Sequence, residues 1–381
     1  MDKLGLIILA GGLSTRMGQP KALLSWINGE SLISHALRKG LDADVQDILI
    51  SIGDDEQLGL AIQTHIIDTL SNDEKNKVSI VRDSVGRCGP LGGLYSTLAV
   101  GTSSAYAVMA VDMPFMEMDL YYDWLYQVDM EMDLYYDWLY QVEHNDWNAI
   151  VPYGESGKAE PMAGIYRPHI ASLIQSILVS EDVSLHHALD VIGHVESIDA
   201  CDYSWELSNI NRFEDYQWAR ALAENEFRRV PLISVVASKR KTGKTTVVTR
   251  LVSELQKIGL SVGVVKSDKH GFQMDLAYKA GADAVAIAGP TETAIRIRTK
   301  EQSNLYEISQ FMPVDIVILE SRSQGIAPII EVTQEGHTEE LISDSMDRVA
   351  TIEIGKLDQD VPELVRHIQE MMRSLNGRRY C

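Results

Sequence analysis

The stretch that most constrains the chain is residues 7 to 24, IILAGGLSTRMGQPKALL. An apolar run from Leu4 to Leu9 reads as a buried parallel strand, and it breaks at Gly11-Gly12. Ser14, Thr15, Arg16 and Gly18 follow, and then Pro20-Lys21. Paired glycines let backbone N–H groups turn inward and lie close to a bound phosphate. Arg16 and Lys21 set two positive charges beside that loop. A phosphate needs many donors, little side-chain bulk and cations held near. A first strand running into a glycine loop is where open α/β sheets supply them.

The next segments repeat the pattern. Ser31 to Leu41 reads as a helix with Ser31 as its N-cap. Asp47 to Gly53, Val78 to Asp83 and Tyr106 to Asp112 read as strands. Strands alternating with helices predict a parallel sheet with helices on both faces and ligands beyond the carboxyl ends of the strands. Asp83 and the Gly11 loop should therefore converge on one crevice. Gly89-Pro90-Leu91-Gly92-Gly93 precedes an apolar helix, and its glycines would let main chain lie flat against a base. Cys88, beside it, reads as a small filler. Asp112 ends its strand facing the same crevice, and a hard carboxylate there suits Mg²⁺ with substrate phosphates completing the shell.

Residues 9 to 21 closely resemble the L-A-G-G-x-S-x-R-M-G-x-P-K signature of nucleotidyltransferases that activate sugars and cofactors. Within these they look most like the molybdenum cofactor guanylyltransferases of MobA type, over about residues 3 to 222. The resemblance implies a Rossmann-like domain of the nucleotide-diphospho-sugar transferase type. It implies GTP and molybdopterin as substrates and Mg²⁺ as cofactor, with Arg16, Lys21 and Asp112 catalytic. Nucleotide contacts fall on Leu9, Ala10, Gly11, Gly12, Lys21, Asp83, Gly89, Pro90, Leu91, Gly93 and Asp112. Gly89 to Gly93 matches the family's G-P-L-x-G element and, with Ala10-Gly11-Gly12, points to guanine rather than cytosine. Asp112 and Pro114 match its D-x-P element. Ser208-Asn209-Ile210-Asn211 looks like its N-x-N element, so Asn209 and Asn211 become second-substrate candidates, although Asn211 could equally cap the following helix. A looser match puts Pro161 and its neighbours near the pterin. A cytidylyltransferase, or a transferase acting on a sugar or polyol phosphate, is the alternative.

Two features lie outside that pattern. MEMDLYYDWLYQVD at 116–129 recurs as MEMDLYYDWLYQVE at 130–143. Met118, Tyr121, Leu125 and Val128, then Met132, Tyr135, Leu139 and Val142, keep one apolar face, since fourteen residues are close to four helical turns. The spacing predicts one lengthened helix, with an extruded copy as the alternative. His186 and His187 have no partner at metal-ligand spacing and read as surface or packing residues.

Composition sets the outer limits. A chain of 381 residues predicts two domains. A net charge of −21 argues against nucleic-acid binding through bulk charge, so an anionic substrate needs a local basic pocket. Three cysteines, Cys88, Cys201 and Cys381, form no CxxC pair and predict neither a disulfide framework nor a zinc site. The first apolar run is too short for a signal peptide, and no run of about 18 apolar residues would span a membrane. A cytoplasmic protein is the expectation.

The polar stretch 223–231, ending in Pro231, reads as a linker between domains at 1–222 and 232–381. LISVVAS at 232–238 restarts the strand–loop–helix logic, followed by Lys239-Arg240-Lys241-Thr242-Gly243-Lys244-Thr245-Thr246. The spacing is that of a P-loop with Ser238 in place of the first glycine. Lys244 would reach the β- and γ-phosphates, Thr245 would hold Mg²⁺, and Gly243 and Thr246 complete the loop. Lys239 stands where a deviant P-loop carries an extra lysine. VDIVILE at 314–320 ends in Glu320, placed to hold a magnesium-bound water. Together these resemble the MobB-type GTP-binding adaptor, which implies a P-loop NTPase-like α/β domain and client proteins such as molybdoenzymes. KSDKHG at 266–271 is short of one family histidine, and Glu320-Ser321-Arg322-Ser323 replaces the usual E-G-F-K. A delivery module that binds nucleotide without hydrolysing it is therefore the alternative for this domain. Residues 361–375 read as a closing amphipathic helix.

Overall fold

The computed structural model describes residues 4–11, 19–85, 88–136, 147–154, 157–180, 182–238, 242–266, 284–288, 293–297, 304–321, 326–334 and 341–379. They divide into two compact units, residues 1–213 and 214–381.

The first unit carries strands β1 (Gly5–Leu9), β2 (Ile48–Ser51), β3 (Val78–Val81), β4 (Tyr106–Ala110), β5 (Ala149–Tyr153), β6 (Ile165–Tyr166) and β7 (Val195–Asp199). Its helices are α1 (Leu32–Asp42), α2 (Glu56–His65), α3 (Asn72–Lys75), α4 (Gly89–Leu98), α5 (Met118–Tyr136), α6 (Ala171–Ile177) and α7 (Leu185–Ile192). The strands form one sheet in the order β3-β2-β1-β4-β6-β5-β7. β1 sits between β2 and β4, parallel to both, and is buried on both faces, which is why it reads as an unbroken apolar run. Ile7 and Leu9 face a core shared with Leu91, Leu94 and Leu98 of α4 and with Ile174 and Ala188 of α6 and α7. α1 covers the other face and approaches through Gly40, where a Cβ would stand 2.6 Å from Leu6 Cδ2.

The sheet is not wholly parallel as the alternation predicts. β6 runs antiparallel to β4 and β5. The connection from Tyr153 to Ile165 is too short for a crossover helix, so the chain folds back beside β5. Ser31 caps α1 by accepting from Ser34 N–H, as its position predicts. α5 runs through the junction at residues 129 and 130 into the second copy of the repeat as far as Tyr136. Within 118–128, the part of α5 whose side chains are described, Met118, Tyr121, Trp124 and Val128 are buried. Trp124, rather than the Leu125 of the expected seam, fills the core and meets Tyr121 edge-on. The rest of the second copy lies outside the described residues.

The second unit holds β8 (Leu232–Val236), β9 (Val262–Lys266), β12 (Ile316–Glu320), β13 (Ile329–Thr333) and β14 (Arg348–Glu353), all parallel, in the order β14-β13-β8-β12-β9. β10 (Ala284–Ala288) and β11 (Thr293–Ile297) form a separate antiparallel pair. Helices α8 (Phe213–Glu226), α9 (Lys244–Lys257), α10 (Leu305–Gln310) and α11 (Leu357–Arg379) accompany them. α8 is tied to β8 by Asn225. This fully buried residue accepts from Leu232 N–H at 2.8 Å and donates to the carbonyls of Ala221 and Leu232. Among the described residues no helix is long and apolar enough to cross a membrane.

Candidate functional site

The carboxyl ends of β1, β2 and β3 meet where the sequence places the crevice. Ala10 N–H and Gly11 N–H both donate to Ser51 O, at 2.8 and 2.9 Å. Gly11 admits no side chain, because a Cβ would stand 2.6 Å from Gly53 N. Ser51 Oγ donates to Asp83 Oδ1 at 3.2 Å, and Asp83 N–H donates to Gly53 O at 3.0 Å. α4 closes over this hub by way of its glycines. A Cβ on Gly93 would lie 2.5 Å from Ser51 Oγ, and one on Gly92 would lie 3.2 Å from Asp83 Oδ2. Partial burial raises the Asp83 carboxyl above its ordinary range, against the hydrogen bond from Ser51. Ser51 and Gly53 were missed by sequence reasoning. The signal was a small polar residue ending the apolar run ILIS, too common to single out.

Gly89 opens α4 at φ +58°, a left-handed value that favours glycine. Pro90 follows in the first turn and is exposed. Leu91 is fully buried, so it can offer a nucleotide only its main chain. Gly12 and Arg16 lie outside the described residues, as does Arg87.

Lys21 opens a short 3₁₀ turn, Lys21–Leu23. Its Nζ donates to Asp112 Oδ2 at 2.6 Å, and the two side chains are 21% and 17% exposed. A pair this sheltered is screened less than a surface salt bridge. Asp112 stands just past β4, whose tip is fixed to β1 by Val111 N–H donating to Leu9 O at 3.1 Å. Ile210 N–H donates to the Asp112 carbonyl at 2.9 Å, which brings the Asn209–Asn211 strip to the same strand tip. Asn209 Oδ1 is buried with no hydrogen-bond partner, whereas Asn211 is exposed.

The residues here fit a divalent cation. Asp112 and the orphaned Asn209 oxygen are hard donors, and magnesium commonly takes only one or two carboxylates, drawing the rest of its shell from water and phosphate. Among the described residues no cluster of three His, Cys, Asp or Glu side chains would hold a metal without such help. The segment around Pro161, expected near the pterin, is packed rather than open. Pro161 is buried and its carbonyl accepts from Tyr166 Oη at 2.8 Å. His186 meets the Ala159 carbonyl through Nε2 at 3.1 Å.

In the second unit, Gly243 sits at φ +92° directly before α9, and a Cβ there would meet Ile354 Cδ1 at 2.5 Å. Lys244 opens α9. Thr245 Oγ1 donates to Glu320 Oε1 at 2.9 Å, and Glu320 ends β12 in register with Val235 of β8. Thr246 is exposed, and Lys239 lies outside the described residues. Sequence reasoning overlooked a buried carboxylate nearby in the chain. Glu331, in mid-β13, accepts from Ile342 N–H at 2.7 Å, Ser343 N–H at 3.0 Å, Ser343 Oγ and Arg348 Nη1. Burial pushes its pKa up, but these donors together outweigh that and hold it below the ordinary value. Four donors spent on one acid fix the 341–348 segment, which marks a structural role.

Residues 6–195 match the family model described as the MobA-like NTP transferase domain. Residues 232–353 match the one described as molybdopterin guanine dinucleotide synthesis protein B. A probable molybdenum cofactor guanylyltransferase of Bacillus cereus (strain G9842) is 26% identical over 230 residues, 59% of this chain and 100% of that one. Molybdopterin-guanine dinucleotide biosynthesis protein A from Archaeoglobus fulgidus is 16% identical, covering 58% of this chain and 99% of that chain with a TM-score of 0.44. A MobB protein homologue from Bacillus stearothermophilus is 17% identical, covering 36% and 98% with a TM-score of 0.28. One family match falls in each compact unit. The chain thus carries a MobA-like NTP transferase domain followed by a MobB domain.

Proposed function

We propose that the first unit transfers GMP from GTP to the terminal phosphate of molybdopterin, giving molybdopterin guanine dinucleotide and pyrophosphate. The acceptor phosphate attacks the α-phosphorus in line, and the bond to the pyrophosphate oxygen breaks. Phosphoryl chemistry of this kind asks the protein mainly for positioning and charge stabilisation. The Ala10–Gly11 loop and the α4 glycines shape the cradle, while Lys21, with Arg16, meets charge gathering on the α-phosphate and the leaving group. Asp112, joined by Asn209, would hold Mg²⁺, which when bound supplies further charge neutralisation. Asn211 faces the acceptor side in this reading. The observation that carries the proposal is the 2.6 Å contact of Lys21 with Asp112 at the carboxyl end of the sheet. Mass spectrometry of the products from GTP, Mg²⁺ and molybdopterin tests it. The dinucleotide is expected, and a product formed only from CTP or a sugar phosphate overturns it.

The second unit binds GTP through Gly243, Lys244, Thr245 and Thr246, with Glu320 opposite Thr245 and Lys239 contributing charge. Its 2.9 Å hydroxyl–carboxylate contact is the arrangement in which a threonine and a strand-tip acid share a hydrated Mg²⁺. It serves as an adaptor toward client proteins, with the functional boundary at the 223–231 segment and the whole chain acting in the cytoplasm. GTP binding without hydrolysis by full-length Lys21→Ala protein favours a pure delivery module, and hydrolysis favours a working GTPase.

A further inference from the structure

Lys21 and Asp112 are 91 positions apart, yet one element, α1, reaches both. At its amino end, Leu32 N–H donates to Leu24 O at 3.0 Å, and Trp26 N–H donates to Glu30 O at 2.6 Å. These bonds tie α1 to the turn that Lys21 opens. Further along the same helix, Lys39 Nζ donates to Pro114 O at 2.7 Å and to Met116 O at 2.8 Å. It also meets the Glu117 carboxylate at 2.8 Å, while its side chain is only 10% exposed. His35, one turn earlier, meets Pro114 O through Nε2 at 3.2 Å. All these carbonyls belong to the turn by which the chain leaves Asp112. An ammonium this sheltered is costly to bury unless its donors are used, and here two main-chain oxygens and one acid use them. Trp26 packs edge-on against Phe115, and Phe115 against Trp205, closing the same joint.

We propose that Lys39, seconded by His35, is a positioning residue, and that α1 is the splint holding the Asp112 carboxylate against Lys21. Its catalytic meaning rests on the transferase reading above, but its geometry does not. Without the Lys39 ammonium the Met116 carbonyl loses that donor and the Pro114 carbonyl keeps only its longer contact with His35, so the turn relaxes and the Lys21–Asp112 contact opens. A lysine that merely stapled the fold would lower the melting temperature and leave that contact as it was.

The test uses the full chain carrying Lys39→Met, close in length but without charge, and Lys39→Arg, whose guanidinium can still serve two carbonyls. The first readout is amine labelling of Lys21, followed by mass spectrometry, because labelling tracks how often a pair stands open. Lys39→Met should speed Lys21 labelling about fivefold, with exposed Lys158 unchanged. Its kcat should fall about tenfold with KM for GTP held, the signature of misplaced groups. Lys39→Arg should restore both. Lys21 labelling at the wild-type rate in folded Lys39→Met overturns the proposal, whatever the turnover. Should that variant not fold, His35→Leu must raise Lys21 labelling about twofold, and no rise overturns the proposal equally. A wild-type chain that makes no dinucleotide defeats the transferase reading alone, since the labelling still decides the splint.

Discussion

On the proposed function the two units each build a phosphate cradle from a strand, a glycine bend and a strand-tip acid, but they finish it differently. In the first, the acid is met by an ammonium, Lys21 on Asp112. In the second it is met by a neutral hydroxyl, Thr245 on Glu320. An ion pair sheltered from solvent holds charge where a triphosphate's negative charge must be redistributed, which suits bond-breaking at the α-phosphorus. A hydroxyl beside a carboxylate leaves the acid's charge uncompensated and ready for a hydrated cation, which suits holding a nucleotide. The first cradle is also braced from many sides, through Ser51, Asp83, Val111 and Ile210. On the proposed function, the first site turns substrate over and the second holds nucleotide.

The largest effect that could break this contrast is Asp112→Asn. It should lower GMP transfer by about 10² to 10³ while GTP binding by the second unit persists, measured as product formation against equilibrium dialysis. Lys244→Ala should do the reverse, weakening nucleotide binding at the P-loop about a hundredfold and leaving transfer within about twofold. If either variant silences both activities, the cradles are not independent. Gly93→Ala sharpens the picture of the first cradle. Its new methyl would press on Ser51 Oγ at 2.5 Å, so a loss of about 1–3 kcal/mol in unfolding free energy and a raised KM for GTP are expected.

A further test is a pH dependence. Burial and the Lys39 charge lower the pKa of His35 from 6.5 to about 4, against its hydrogen bond to the Pro114 carbonyl. Between those values the unfolded chain takes up a proton that the folded chain refuses, so this stability is complete above about pH 6.5 and is lost as pH falls toward 4. The full loss is on the order of 3 kcal/mol. Denaturant unfolding across that range should show a shallower slope for His35→Gln than for the wild type, and equal slopes would remove His35 from the account.

Much of the first unit was legible because its strands are buried on both faces and announce themselves as apolar runs, as β1 and β4 do. The placement of Gly11 and Asp112 at strand tips was legible because each directly follows an apolar run. β6 was not, since two residues carry no periodicity and its reversed direction follows from a short connection. Ser51 was invisible because its role comes from three strand ends meeting. Lys39 was invisible because a lysine on an amphipathic helix looks solvated until the turn after Asp112 is folded over it. Trp124 displaced Leu125 from the α5 seam because the wider side chain fills the space beside Tyr121. The P-loop was legible down to Gly243, but the pinning of Glu331 by the 341–348 segment depends on contacts that no local pattern encodes.

The most direct test is dinucleotide formation from GTP and molybdopterin by the full chain and its Lys21→Ala variant, measured side by side. The account predicts product from the wild type and a rate at least about a hundredfold lower from a variant that melts as cooperatively. A Lys21→Ala protein that turns over at the wild-type rate would contradict it.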